Sequence, residues 1–386
     1  MVDSRTSSGP ERPAQAFTRR VQRTGSSSLS VTLPKSWTDS MNLQIGDILR
    51  FRDLGEGRLE ISPAGAESPS ERHQKLVRVD ATDAPPNLLA RILVGGYITG
   101  QDQIVVTSRT ILTPDQHREI RRIVAHALGM SVVEEDPHRI EIQNFIDPGR
   151  YRLHRLLNQV VRILRTELQA CSKAFSTGDR TPLQQLGTLE DEVDRFYLLM
   201  VRQILLSSDD FQVARDIGVE SHHYQIGYRL IAKVLELTGD LISTVARELD
   251  ENLAGLLRLP SATRDDLARR IDRLEHMFQK TMEAFTKLSV VDANEILNDL
   301  DRTFTRDEVV RQPRVPRPRD RQADLSAQRI VSSLVMATEM MVIINETTIN
   351  RSVEPETVAK TDQKVSMKPQ GGETLDETDL VRPQPD

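Results

Sequence analysis

The chain has 386 residues, 38% of them hydrophobic and 28% charged, with a formal net charge of −6. That is ordinary for a soluble protein of two or three domains, and it argues against a chain that coats nucleic acid along its whole length. A single cysteine, Cys171, excludes an internal disulfide and any cysteine-built metal site, and its apolar, helical surroundings give it a packing role.

The N-terminus has no apolar stretch of the kind a secretory signal needs, and no run of about 18 apolar residues points to a membrane span. A cytoplasmic location and no membrane insertion are therefore expected. Charge is uneven along the chain. Residues 1–38 hold six basic and two acidic side chains, whereas residues 352–386 hold four basic and eight acidic ones and no aromatic. Residues 1–15 and the acidic tail at 352–386 read as disordered, and 63–74, rich in Ser, Pro and Glu, as a linker.

From Ser28 to Leu33 apolar and polar residues alternate, which predicts a strand; Pro34 ends it and Ser36 can cap a short helix through Met41. Ile48–Phe51 and Leu59–Ile61 read as two more strands around a Gly55-Glu56-Gly57 turn. This all-β unit, residues 16–62, is too short to bury a sufficient core by itself, so association with a second copy is the expected remedy. Trp37 reads as its core anchor rather than a base-stacking residue.

Residues 75–145 read as a small α/β domain of order βαβαββ: strands at Leu76–Val79, Gln103–Thr107, Ser131–Glu135 and Arg139–Ile142, with helices at Asn87–Thr99 and from a capping box at Thr113–Gln116 to a stop at Gly129. From Tyr151 to Arg351 the pattern is helical, in six segments of about 151–177, 182–206, 219–255, 261–289, 291–308 and 323–350. They divide into two three-helix bundles, 150–257 and 260–351. A basic, proline-rich loop spans 311–322, most simply a solvated connection.

Two helices carry carboxylates at i,i+4 spacing: Glu190 and Asp194 in "LEDEVDRFY", Glu236 and Asp240 in "LELTGDLI". Each pair projects from one helical face. If the helices lie side by side, the four converge into an oxygen-rich site suited to hard divalent cations or iron; otherwise they are two solvated acidic faces. Gly239 sits beside the second pair, and glycine inside a helix usually needs a reason such as close packing. Adjacent His222 and His223 diverge by about 100° on a helix and make poor joint ligands. There is no Gly-rich phosphate loop, no HExxH and no nucleophile–base pair, so no enzyme is expected.

"TGSSSLSVTLPKSW" followed by "LQIGDILRF", through Gly25, Ser27, Val31, Leu33, Pro34, Lys35, Trp37, Gly46 and Asp47, resembles the AbrB/SpoVT/MazE swapped-hairpin DNA-binding domains. The resemblance implies a homodimeric barrel whose loop meets the DNA backbone through Arg19, Arg20, Arg23, Ser26 and Lys35. The helical half resembles PhoU, the phosphate-signalling regulator. That implies a metal site at Glu190, Asp194, Glu236 and Asp240, with Asp191 beside it. A less complete second set comprises Glu295, Asp299, Asp301 and Glu339, with Val335 where a glutamate belongs. The combination looks like archaeal-type PhoU-domain phosphate uptake regulators. It implies promoter DNA as partner and a metal- or partner-sensing helical module. The alternative is an adaptor that does not bind DNA and touches a phosphate transporter or a sensor kinase.

Overall fold

The computed structural model describes residues 17–55, 57–63, 75–184, 186, 189–219, 222–303 and 321–353. Residues 1–15, almost all of the 63–74 linker, nearly all of the basic proline-rich loop and all of the expected acidic tail but Ser352 and Val353 lie outside them; Ser352 is not in the tail but ends the last helix. By contact the chain divides into two compact units, Met1–Ala125 with Gly129–Ile146, and His126–Leu128 with Asp147–Asp386.

The first unit opens with two antiparallel hairpins, β1 (Gln22–Thr24) with β2 (Ser28–Ser30), and β3 (Leu49–Gly55) with β4 (Arg58–Pro63). The strand expected over Ser28–Leu33 is shorter, because only Ser28–Ser30 finds a partner, and that partner, β1, was not anticipated. The intervening α1 (Lys35–Ser40) starts one residue before Ser36; Pro34 occupies the cap, its carbonyl accepting from the Trp37 and Thr38 amides. Among residues 17–51, 57, 59 and 61–63 none is buried. Leu29 is 72% exposed and Phe51 57%, with Val31, Ile45, Ile48 and Leu59 also in solvent. A single copy of this segment has strand pairing but no core.

The α/β part of the unit follows the expected order: β5 (Leu76–Asp80), α2 (Leu88–Ile98), β6 (Gln103–Thr107), α3 (Pro114–His126), β7 (Met130–Asp136) and β8 (Arg139–Asn144). The sheet runs β5-β6-β8-β7, with β5 and β6 parallel and the other neighbours antiparallel. Alternate strand residues Val79, Ile104, Val106, Ile140 and Ile142 share one core with Leu89 and Leu93 of α2 and Ile120 of α3. The capping box is reciprocal: the Thr113 amide donates to Gln116 Oε1 at 2.8 Å, and the Gln116 amide to Thr113 Oγ1 at 3.3 Å.

The second unit is helical: α4 (Leu153–Thr177), α5 (Thr181–Gln184), α6 (Leu189–Asp209), α7 (Phe211–Ile217), α8 (His222–Leu256), α9 (Ser261–Lys287), α10 (Val290–Thr303) and α11 (Arg321–Ser352). Thr181-Pro182 opens only the one-turn α5, so α6 begins at Leu189 rather than 182. Asp210 caps the unanticipated α7 by accepting from the Gln212 and Val213 amides. The division into two three-helix sets is not a division of the core. The most extensive helix pairing joins α8 to α11, across that boundary, while α4 also packs on α9.

α11 is long and apolar enough, by length and composition, to cross a membrane. Its buried stripe, including Ile330, Leu334, Ala337, Met341 and Ile344, packs against α8, α9 and α10, which is the placement of a core helix. Its C-terminal Arg351 is buried, with its guanidinium 4.6–5.1 Å from the ring centroids of Tyr228, Phe285 and Tyr224.

Candidate nucleic-acid interface and a carboxylate face

The β1–β2 hairpin pairs Gln22 with Ser30, Arg23 with Leu29 and Thr24 with Ser28 around a turn at Gly25, whose φ of +81° suits glycine. The turn brings two expected residues together: Arg23 Nη2 donates to the Ser26 carbonyl at 2.9 Å. Arg19 precedes the hairpin, donates to the Thr18 carbonyl and lies 5.8 Å from the Phe17 ring centroid. Lys35 is the first residue of α1. Arg19, Arg20, Arg23, Ser26 and Lys35 are all exposed, and none of the four cations has an acidic partner among the described residues. Exposed cations that have no acidic partner among the described residues, beside a turn of small residues, are what a phosphate backbone requires. The Gly46-Asp47 signature is also explained: Asp47 Oδ2 accepts from the Gln44 amide at 2.7 Å, fixing the turn into β3.

On the helical unit, α8 passes close to α4 and α6. A Cβ on Gly239 would lie 3.2 Å from Leu164 Cδ2 and 3.3 Å from Val193 Cγ1, so the glycine marks the crossing, as its position within the helix implied. Asp194 follows Val193 and Asp240 follows Gly239, so the crossing brings the two carboxylate pairs into one electrostatic neighbourhood. Burial, then Asp240, Glu236 and Glu190, push the Asp194 carboxyl up to about 6. Burial and the charges of Glu236 and Glu190 likewise raise Asp240.

The four do not form a coordination shell. Among the described residues no group of three or more His, Cys, Asp or Glu is placed to hold one metal ion. Glu236 instead accepts from Lys233 Nζ at 2.5 Å, and Lys233 and Arg229 stack on Tyr197. Glu190, Asp191 and Asp240 are exposed residues, and Asp191 Oδ1 lies 3.3 Å from His126 Nε2. Glu295, Asp299 and Glu339 are exposed on α10 and α11, and the Asp301 side chain lies outside the described residues. The arrangement is a negative field that a cation would neutralise.

The sequence reading missed Glu167 on α4. It is 2% exposed, its Oε2 has no hydrogen-bond partner, and burial together with the Glu190 charge pushes it up to about 8. The signal was present: a glutamate within the stripe Leu164, Leu168 and Cys171. Burial also raises the Cys171 thiol, which fits an inert packing residue.

Glu167 sets a pH dependence. Folded, it holds its proton up to about pH 8; unfolded, it loses it near its ordinary value of 4.5. Between those values the folded state binds more protons, so stability falls as pH rises. Denaturant unfolding of the wild-type helical unit should lose on the order of a few kcal/mol across that window. Glu167→Gln should flatten the slope. An unchanged slope would show that Glu167 is ionised in the folded state.

The family model described as antidote-toxin recognition MazE, bacterial antitoxin, matches residues 22–68, which span the two hairpins and α1. This match supports the N-terminal swapped-hairpin domain. No curated protein and no solved structure matches the chain.

Proposed function

We propose that the protein is a homodimeric DNA-binding regulator of phosphate uptake, gripping promoter DNA through its N-terminal β unit. One observation carries this reading: in the segment that matches the MazE model Leu29, Val31, Ile45, Ile48, Phe51 and Leu59 are exposed, beside arginines that have no acidic partner among the described residues. Two copies would bury the apolar residues in a shared barrel and double the basic row on one surface. The link to phosphate is supported by the PhoU-like carboxylate pairs, Glu190–Asp194 and Glu236–Asp240, whose charges act on one another near the Gly239 crossing. In this reading the helical unit senses phosphate status through a cation or a partner and favours one of two arrangements of the DNA-binding ends.

The dimer is tested by Leu29→Asp with Phe51→Asp. The double variant should sediment as a monomer and lose promoter binding, while far-UV circular dichroism stays helical because the helical unit has its own core. A persistent dimer would remove the β unit from the interface.

A second reading, an adaptor acting by protein contacts on a phosphate transporter or sensor kinase, is favoured by a stripe on α8. Ile226, Leu230 and Leu237 are exposed at i, i+4 and i+11 spacing beside the carboxylate face. Under it, the β unit only dimerises. Binding to the promoter of a phosphate transporter, against a random-sequence control, separates the two.

A further inference from the structure

The regulator described above gives the α/β domain no task, yet that domain contains a cavity of about 500 Å³, within the range of small-molecule sites. Its position follows from the topology. β5 and β6 are parallel neighbours, so their carboxyl ends, Asp80 and Thr107, lie at one edge of the sheet. The loops leaving those ends and the start of α3 line the cavity. In open α/β sheets the crevice outside the carboxyl ends of parallel strands is where ligands bind.

At this edge one first-turn amide of each helix already has a side-chain partner. Glu119 Oε1 on α3 accepts from the Ala90 amide in the first turn of α2 at 2.7 Å, and Thr113 and Gln116 cap α3 reciprocally. Gln116 Nε2 donates to the Ala81 carbonyl, tying α3 to the loop after β5. A bare anion therefore finds those amides occupied, and recognition falls to the side chains.

Those side chains are of two kinds, on two elements. The loop after β5 contributes Asp83 and Asn87, whose side chains make no hydrogen bond to any described residue. Both residues hold a left-handed backbone, with φ of +55° and +64°, a conformation that Asp and Asn adopt more readily than other non-glycine residues. α3 contributes Arg118 and Arg122 together with two carboxylates that are already engaged, Asp115 with Arg118 and Glu119 with the Ala90 amide. Arg118 is paired with Asp115, but both are well exposed, so a ligand carboxylate can replace that partner at little cost. A carboxylate and a carboxamide on one element and two guanidiniums on the other match a ligand with an ammonium at one end and a carboxylate at the other. We propose that this cavity binds a small zwitterion of the amino-acid class, with Asp83 and Asn87 receiving the ammonium and Arg118 and Arg122 the carboxylate.

The test is isothermal titration of the full chain with the proteinogenic amino acids and, separately, with orthophosphate. At least one amino acid should bind saturably. Asp83→Asn, a change tolerated at positive φ, and Arg118→Gln, at an exposed position, should each weaken it by about tenfold or more. Circular dichroism confirms that each variant is folded, and if one is not, the other decides. Absence of amino-acid binding, equal binding by the folded variants, or binding of orthophosphate alone would each overturn the proposal.

Discussion

Replacing Arg19, Arg20 and Arg23 together with alanine is expected to abolish promoter binding and leave the dimer intact. All three side chains are exposed and none has an acidic partner among the described residues, so their removal breaks no ion pair there and opens no cavity. In a dimer three arginines per chain become six. Each neutralised phosphate contributes about 0.9 to the slope of log affinity against log salt, so the variant should lose about 5 in that slope. The wild type should weaken roughly a thousandfold between about 50 and 200 mM salt, and the variant far less. Fluorescence anisotropy with labelled promoter DNA at several salt concentrations reads both quantities, and sedimentation confirms the dimer. A variant with wild-type affinity and slope would place the DNA elsewhere. A wild type that binds promoter no better than random sequence would transfer the argument to the adaptor reading.

The α/β domain was legible from local signals because each of its boundaries has a local cause. The Thr113-x-x-Gln116 box and the alternation through Gln103–Thr107 act within a few residues and stand where the pattern put them, whereas the helix expected to run to Gly129 ends at His126, with Gly129 at positive φ in the turn that follows. The β1 strand was not legible. Gln22–Thr24 is polar and three residues long, and only its pairing with Ser28–Ser30 makes it a strand. The start of α6 misled for a related reason: a proline one residue into a helical pattern marks a first turn but not whether the helix continues, and here it stops at Gln184.

The carboxylate face shows the same division. Helical spacing correctly grouped Glu190 with Asp194 and Glu236 with Asp240, and the glycine correctly marked the crossing. Spacing could not say whether the oxygens would meet, since that depends on rotamers and on neighbours such as Lys233, which takes Glu236 for itself. Glu167 required a different question of the sequence: which polar residue interrupts an apolar stripe. The size of the N-terminal unit, by contrast, was informative before any contact was known. A chain of that length with so many strand-type apolar residues needs a second copy, and Leu29, Val31, Ile48, Phe51 and Leu59 are all exposed.

Gly129→Ala is expected to be the most destabilising single methyl addition in the α/β domain. Gly129 joins α3 to β7 with φ of +85°, and an added Cβ would lie 2.6 Å from Ile146 Cβ and 3.1 Å from the Ile146 nitrogen and Asn144 Oδ1. The opposing segment cannot retreat cheaply. The Phe145 amide donates to the Gly129 carbonyl at 2.8 Å, and the Ile146 amide to Asn144 Oδ1 at 2.8 Å. Gly218, which ends α7, supplies the comparison: its φ is +81°, but a Cβ there meets nothing within 4 Å. Gly218→Ala therefore measures the left-handed backbone alone, roughly 1–2 kcal/mol. Gly129→Ala adds steric overlap and should cost about 3 kcal/mol or more. Denaturant unfolding followed by hydrogen exchange assigns each loss to its own unit, which matters because the two glycines sit in different ones. Equal costs would mean that β7 and the Asn144–Ile146 segment can separate. In that case the alanine should leave amino-acid affinity at the cavity unchanged. If the segment is as firmly held as its hydrogen bonds imply, the strain passes into α3, which carries Arg118 and Arg122, and affinity falls together with stability.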